Sequence, residues 1–88
     1  MLKIGVLVSG RGSNLQAIID AIEAGKIRAE VAVVISNVPG VQALNRAKKH
    51  GIKAVVVNDK DFKDKSSYEK EIISELEMNK VELVCLAG

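Results

Sequence analysis

Hydrophobic positions along the chain switch between two spacings. Ile4-Gly5-Val6-Leu7-Val8 is an unbroken apolar run, the pattern of a strand buried on both faces. After Ser9-Gly10-Arg11-Gly12 the period changes. Leu15, Ile18, Ile19 and Ile22 fall at i, i+3, i+4 and i+7, one face of a helix that begins near Ser13. Gly25 stands where a helix-terminating glycine belongs. Val31 to Ile35 reads as a second buried strand, rich in β-branched residues. Ser36-Asn37-Val38-Pro39-Gly40 punctuates it with a strong turn signal. Val41, Leu44 and Ala47 mark a second helix, closed by Lys48, Lys49 and His50 before Gly51. Ala54 to Val57 predicts a third strand, and polar Asn58 to Lys65 a loop. Ser66-x-x-Glu69 has the form of a capping box, and Tyr68, Ile72, Ile73 and Leu76 give a third helix face. Leu83 to Leu86 is a fourth strand.

The order is βαβαβαβ. Strands alternating with helices imply parallel pairing through right-handed crossovers. The expected architecture is α/β: a doubly wound, Rossmann-like parallel sheet with strand order 3-2-1-4. Ligands are then expected beyond the carboxyl ends of the strands.

Composition narrows the class. Eighty-eight residues predict one domain. A chain of that size buries roughly 60–65% of its unfolded surface, so the core is thin. At 48% hydrophobic residues it is too aliphatic for intrinsic disorder. One cysteine, Cys85, excludes an internal disulfide, and with one histidine a structural zinc site is excluded too. Apolar runs of five or six residues are far short of a membrane span, and the N-terminus lacks a signal-peptide core. The net charge of +2 gives no electrostatic reason to expect nucleic acid. The expectation is a cytoplasmic α/β domain without metal.

The chemistry concentrates in the first loop. A buried strand runs through Ser9-Gly10-Arg11-Gly12-Ser13-Asn14 into an amphipathic helix. Glycines let the backbone turn sharply and approach a ligand. The free N–H groups at the helix start point outward with the positive end of the dipole, which suits a phosphate. Gly10-Arg11-Gly12 supplies G-x-G, but Leu15 breaks the dinucleotide fingerprint, and no Walker A loop is present. The pattern leaves two readings open: phosphate binding at Gly12, Ser13 and Asn14, or a plain strand–helix turn with Ser13 as N-cap.

The wording of this segment goes further. Val8-Ser9-Gly10-Arg11-Gly12-Ser13-Asn14-Leu15-Gln16-Ala17-Ile18-Ile19 resembles the start of the phosphoribosylglycinamide formyltransferase family. Val34-Ile35-Ser36-Asn37, Leu44-x-Arg46-Ala47, Phe62, Tyr68 and Leu83-Val84-Cys85-Leu86-Ala87-Gly88 extend the resemblance along the whole chain. It implies an enzyme of purine biosynthesis that transfers a formyl group from 10-formyltetrahydrofolate, its cosubstrate, to the amine of glycinamide ribonucleotide. It places the ribonucleotide phosphate at Gly12, Ser13 and Asn14. In some members a basic residue after the phenylalanine contacts the formyl-folate, and Lys65 holds that position here. A lysine lacks the bidentate fork of arginine, and a solvated loop fits Lys65 equally well. Family members are about twice this length. Their catalytic asparagine, histidine and aspartate lie downstream of Ala87-Gly88, so no residue of this chain is assigned a catalytic role. Residues 1–88 are expected to be a truncated N-terminal ribonucleotide-phosphate-binding domain, inactive alone.

The remaining chemistry-bearing residues read as structural. His50 suits dipole capping or solvent at a helix end. Cys85 lies in an apolar strand without a neighbour to lower its pKa. The alternating charges of Asp59 to Lys65 read as a solvated loop, and Tyr68 as a half-buried helix residue with no second aromatic beside it. In order 3-2-1-4 the fourth strand is an edge, which predicts self-association through Val84 to Leu86. The competing class is a free-standing or engineered phosphate-binding, self-associating module without catalysis.

Overall fold

Strand and helix alternate from one end of the chain to the other. The computed structural model describes residues 1–88. The elements are β1 (Leu2–Val8), α1 (Ser13–Glu23), β2 (Ala29–Ser36), α2 (Gln42–Lys49), β3 (Ala54–Val56), α3 (Lys65–Met78) and β4 (Leu83–Leu86), with a 3-10 turn at Asp59–Asp61 before α3. All strand pairs are parallel, and the sheet order is β3-β2-β1-β4. The expected order 3-2-1-4 and the Rossmann-like architecture are therefore found.

Helices cover both faces of the sheet. Val6, Val8 and Val34 project toward α1 and α2, where they meet Leu15, Ile19, Ala43 and Ala47 in one core cluster. Val33, Ile35 and Val57 form a second cluster on the opposite face, covered by Tyr68, Ile72 and Leu76 of α3. A bulge serves this two-sided arrangement. The β1–β2 register runs Ile4↔Val31 and then Gly5↔Val33, so Ala32 is an extra residue in β2. The extra residue reverses the alternation, and Val31 and Val33 pack on opposite faces. Opposite the bulge, Gly5 admits α3: a β-carbon there would stand 2.7 Å from Leu76 Cδ2.

Three local expectations need correction. The N-cap of α3 is Asp64, not Ser66: its carboxylate accepts from Ser67 N at 2.8 Å. Asp in the extended backbone at that point takes the first-turn donor before Ser66 is reached. The expected loop through Lys65 therefore ends one residue earlier, and Lys65 is the first helical residue. Ile73 is 53% exposed and is no part of the packed face, because Tyr68, Ile72 and Leu76 already span it. Tyr68 does have an aromatic neighbour: Phe62 lies edge-on with ring centroids 5.8 Å apart.

Between β1 and β4 the winding reverses. The first three strands step outward in one direction from β1, and β4 returns to its other side. A doubly wound sheet opens its ligand crevice at the carboxyl ends of the strands flanking such a reversal. Here those ends are Val8-Ser9 and Leu86-Ala87-Gly88.

Candidate functional site

The loop from Ser9 to Asn14 leaves β1 at this reversal. It is held from two sides. On the β4 side Ser9 Oγ donates to Gly88 O at 2.7 Å, and Ala87 N donates to Leu7 O at 2.9 Å. On the α2 side Ala43 N donates to Gly10 O at 3.1 Å, and Arg46 Nε donates to Arg11 O at 2.8 Å. Two successive loop carbonyls are thus tied to one helix.

Gly12 is the hinge of the turn. It is the N-cap of α1 and has φ +79° in the left-handed region. A β-carbon there would come within 2.7 Å of both Cα and Cβ of Ala43. Glycine is needed twice over, for its backbone conformation and for close approach to α2. The N-cap is Gly12 and not, as the plain-turn reading has it, Ser13. Ser13 is the first helical residue, and no side chain caps α1. The first bond of the helix runs from Gln16 N to Gly12 O at 2.8 Å. The N–H groups of Ser13, Asn14 and Leu15 precede it and face outward as unpaired donors. Ser13 and Asn14 are exposed, while Leu15 anchors the turn from below with no exposed surface. An anion placed there meets backbone donors, two polar side chains and the positive end of a helix dipole.

Gly12, Ser13 and Asn14 follow one another through the start of α1. Lys65 is not brought to them. It lines a separate cavity of about 410 Å³ with Asp59, Phe62, Asp64 and Tyr68. The Tyr68 phenol is pushed above its ordinary value, first by burial and second by the Asp59 carboxylate. Between the two places, a cavity of about 230 Å³ opens at the strand ends, lined by Ser9, Asn37, Tyr68, Ile72, Leu86 and Gly88 among others.

Sequence reasoning missed the bracing residues. Arg46 looks like one more cation on a basic helix end, yet its Nε holds a loop carbonyl and its Nη1 reaches Gln16 Oε1 at 3.3 Å. Ala43 is fully buried against Gly12. One signal was present: a small residue and an arginine three apart on α2 share a helix face. His50, expected at a helix end, does cap α2, but it also contacts α1 through Glu23 and Gln16. Cys85, read as a structural residue of an apolar strand, is partly buried. No three His, Cys, Asp or Glu side chains gather in a way that could hold a metal ion, and no helix is long and apolar enough to cross a membrane.

A doubly wound parallel α/β sheet with a braced glycine turn at its winding reversal defines a Rossmann-like unit. The chain belongs to the formyl transferase family, whose model matches residues 2–88. It is 48% identical over 88 residues to the trifunctional purine biosynthetic protein adenosine-3 of Drosophila pseudoobscura pseudoobscura, covering 98% of this chain and 6% of that protein. It is 41% identical over 87 residues to phosphoribosylglycinamide formyltransferase of Escherichia coli, covering 99% of this chain and 41% of that enzyme. Glycinamide ribonucleotide transformylase 1 of Symbiobacterium toebii superposes with a TM-score of 0.97 at 40% identity, covering all of this chain and 42% of that one. The chain thus spans less than half the length of these relatives.

Proposed function

We propose that residues 1–88 form the ribonucleotide-phosphate-binding part of a phosphoribosylglycinamide formyltransferase. The parent reaction moves a formyl group from 10-formyltetrahydrofolate to the amine of glycinamide ribonucleotide in the cytoplasm. Gly12, Ser13 and Asn14 hold the phosphate, and Lys65 faces the folate cosubstrate. The observation that carries this reading is the brace on the loop. Arg46 and Ala43 fix Gly10, Arg11 and Gly12 so that the first-turn donors of α1 converge without rearrangement on binding. Preorganised donors bind an anion without the entropic cost of ordering a loop.

By itself the chain binds and does not turn over. Its one histidine, His50, is engaged with Glu23 and Gln16 rather than with the Ser9–Asn14 loop, and family resemblance places the formyl-transfer residues beyond Gly88. Titration of the isotope-labelled chain with glycinamide ribonucleotide is the test. Saturable shifts of the Ser13, Asn14 and Leu15 amides are expected, with no formyl transfer in the same tube. Shifts confined to other residues would overturn the site, and turnover near that of a full-length enzyme would overturn the inactivity.

The edge of β4 supports a separate proposal, that this chain self-associates. Leu83, Val84 and Leu86 are 49%, 41% and 81% exposed on a strand paired only to β1. An apolar strand with one free edge is a template for pairing with another chain. Sedimentation equilibrium should show a mass that rises with concentration. A monomer throughout the accessible range would rule the association out.

A further inference from the structure

Gln16 stands at the centre of a hydrogen-bonded line between α1 and α2. Its amide makes three contacts: Nε2 with Asp20 Oδ1 at 2.9 Å, Nε2 with His50 Nε2 at 3.4 Å, and Oε1 with Arg46 Nη1 at 3.3 Å. Beyond them, His50 Nδ1 lies 2.9 Å from Glu23 Oε2, and Arg46 Nε holds Arg11 O at 2.8 Å. One assignment of donors and acceptors satisfies every contact along this line. Arginine only donates, so Gln16 must present its oxygen to Arg46 and its N–H₂ to the other side. Both amide hydrogens then need acceptors. Asp20 supplies one. His50 Nε2 supplies the other only if it carries no proton, which leaves the imidazole proton on Nδ1, directed at Glu23.

We propose that His50 is a positioning residue for the Gly10–Asn14 loop, and that its protonation releases the brace that Gln16 and Arg46 provide. This rests on the reading of that loop as the phosphate site. A protonated imidazole turns Nε2 into a donor facing the Gln16 donors. Gln16 then either abandons His50 or flips its amide, and a flipped amide sets N–H₂ against Arg46. Either way the contact between His50 and Gln16 is lost, and the flipped amide also loses the one between Gln16 and Arg46, which is the step that reaches the brace on Arg11 O. The charged groups facing His50 are Glu23 of α1, Glu30 of β2 on the cavity they share, and Arg46 and Lys49 of its own helix on the polar groove beside Gln16.

The test is an NMR pH titration of the full chain between pH 8.0 and 5.0, alongside His50→Gln, which cannot titrate. In the unsubstituted chain the Gln16 side-chain amide, the Arg46 Nε–H and the Gly12 amide are expected to move with the same midpoint as the His50 ring. In His50→Gln they are expected to stay still. Side-chain signals of Gln16 and Arg46 that remain still while the ring titrates would overturn the proposal. Sulfate, whose charge is constant over this range, serves as the anion probe in 0.15 M salt. Its affinity is expected to fall about threefold to tenfold between pH 8.0 and 5.5, the effect of one lost hydrogen bond, and to be flat in His50→Gln. An equal fall in both proteins would also overturn it. Absence of sulfate binding at pH 8.0, with the side-chain signals still titrating together, would sink the phosphate reading and leave the relay standing.

Discussion

The two faces of the sheet are covered very differently. On one, α1 and α2 insert Leu15, Ile19, Ala43, Leu44 and Ala47, all buried. On the other, α3 is the longest helix of the chain, yet not one of its 14 residues is fully buried. The site loop hangs from the tightly covered face. Ala43 belongs both to the core cluster and to the contact under Gly12, so packing and site geometry are the same contact there. The open face carries no such duty. The contrast teaches that burial in this small domain is spent where a backbone must be held still.

The largest effect that tests this contrast is expected from Leu15→Ala. Leu15 has no exposed surface and sits in the core cluster beneath the loop. Its truncation should cost about 2–5 kcal/mol in urea unfolding. Ile72→Ala, on half-covered α3, should cost about 1 kcal/mol, in proportion to the apolar area it buries. Equal costs would erase the distinction between the faces. Next in size is Gly12→Ala, expected to cost about 1–3 kcal/mol for a strained positive φ and a forced shift of Ala43. It should also abolish anion shifts at Ser13 and Asn14. A stable Gly12→Ala chain with intact binding would show that the brace is not what shapes the loop.

The smallest effect is expected at Asp64, on the open face. Its carboxyl is held below its ordinary value by the hydrogen bond from Ser67 N and, second, by one from the Ser67 side chain. A depressed carboxyl stabilises the fold above the unfolded-state value and loses that contribution as pH falls through the folded one. Asp64→Ala should therefore lower Tm slightly at pH 7, and the gap between the two proteins should close in acid. A gap that persisted at low pH would assign the effect to something other than the ionised cap.

These pairs also mark what could be read from residues alone. From Ile4 to Ile22 the buried strand, the glycine turn and the helical stripe were legible because each is a local pattern, but the cap of α1 is Gly12 and not Ser13. Strand order followed from alternation and parallel crossovers. The start of α3 was misplaced because Ser66 and Asp64 both offer side-chain oxygens near it, and only the backbone geometry decides between them. Phe62 and Tyr68 meet because the chain turns into α3 at Asp64, between them, which their spacing does not announce. His50 was read as a helix-end residue, and Gln16 and Arg46 only as parts of the family motifs. Their line exists only once α1 and α2 lie side by side, and nothing local records it.

The place of β1 in the sheet has a consequence in time. Its partners on either side are β2 and β4, and Ser9 reaches Gly88 across 79 positions of sequence. At ribosomal rates of about 5–20 residues per second, roughly 4–16 s separate the synthesis of these two ends. Through that interval the central strand emerges with one neighbour and one bare backbone edge. The nascent chain must be shielded or simply wait, and the Ser9–Asn14 loop gains its tie to Gly88 only after that interval.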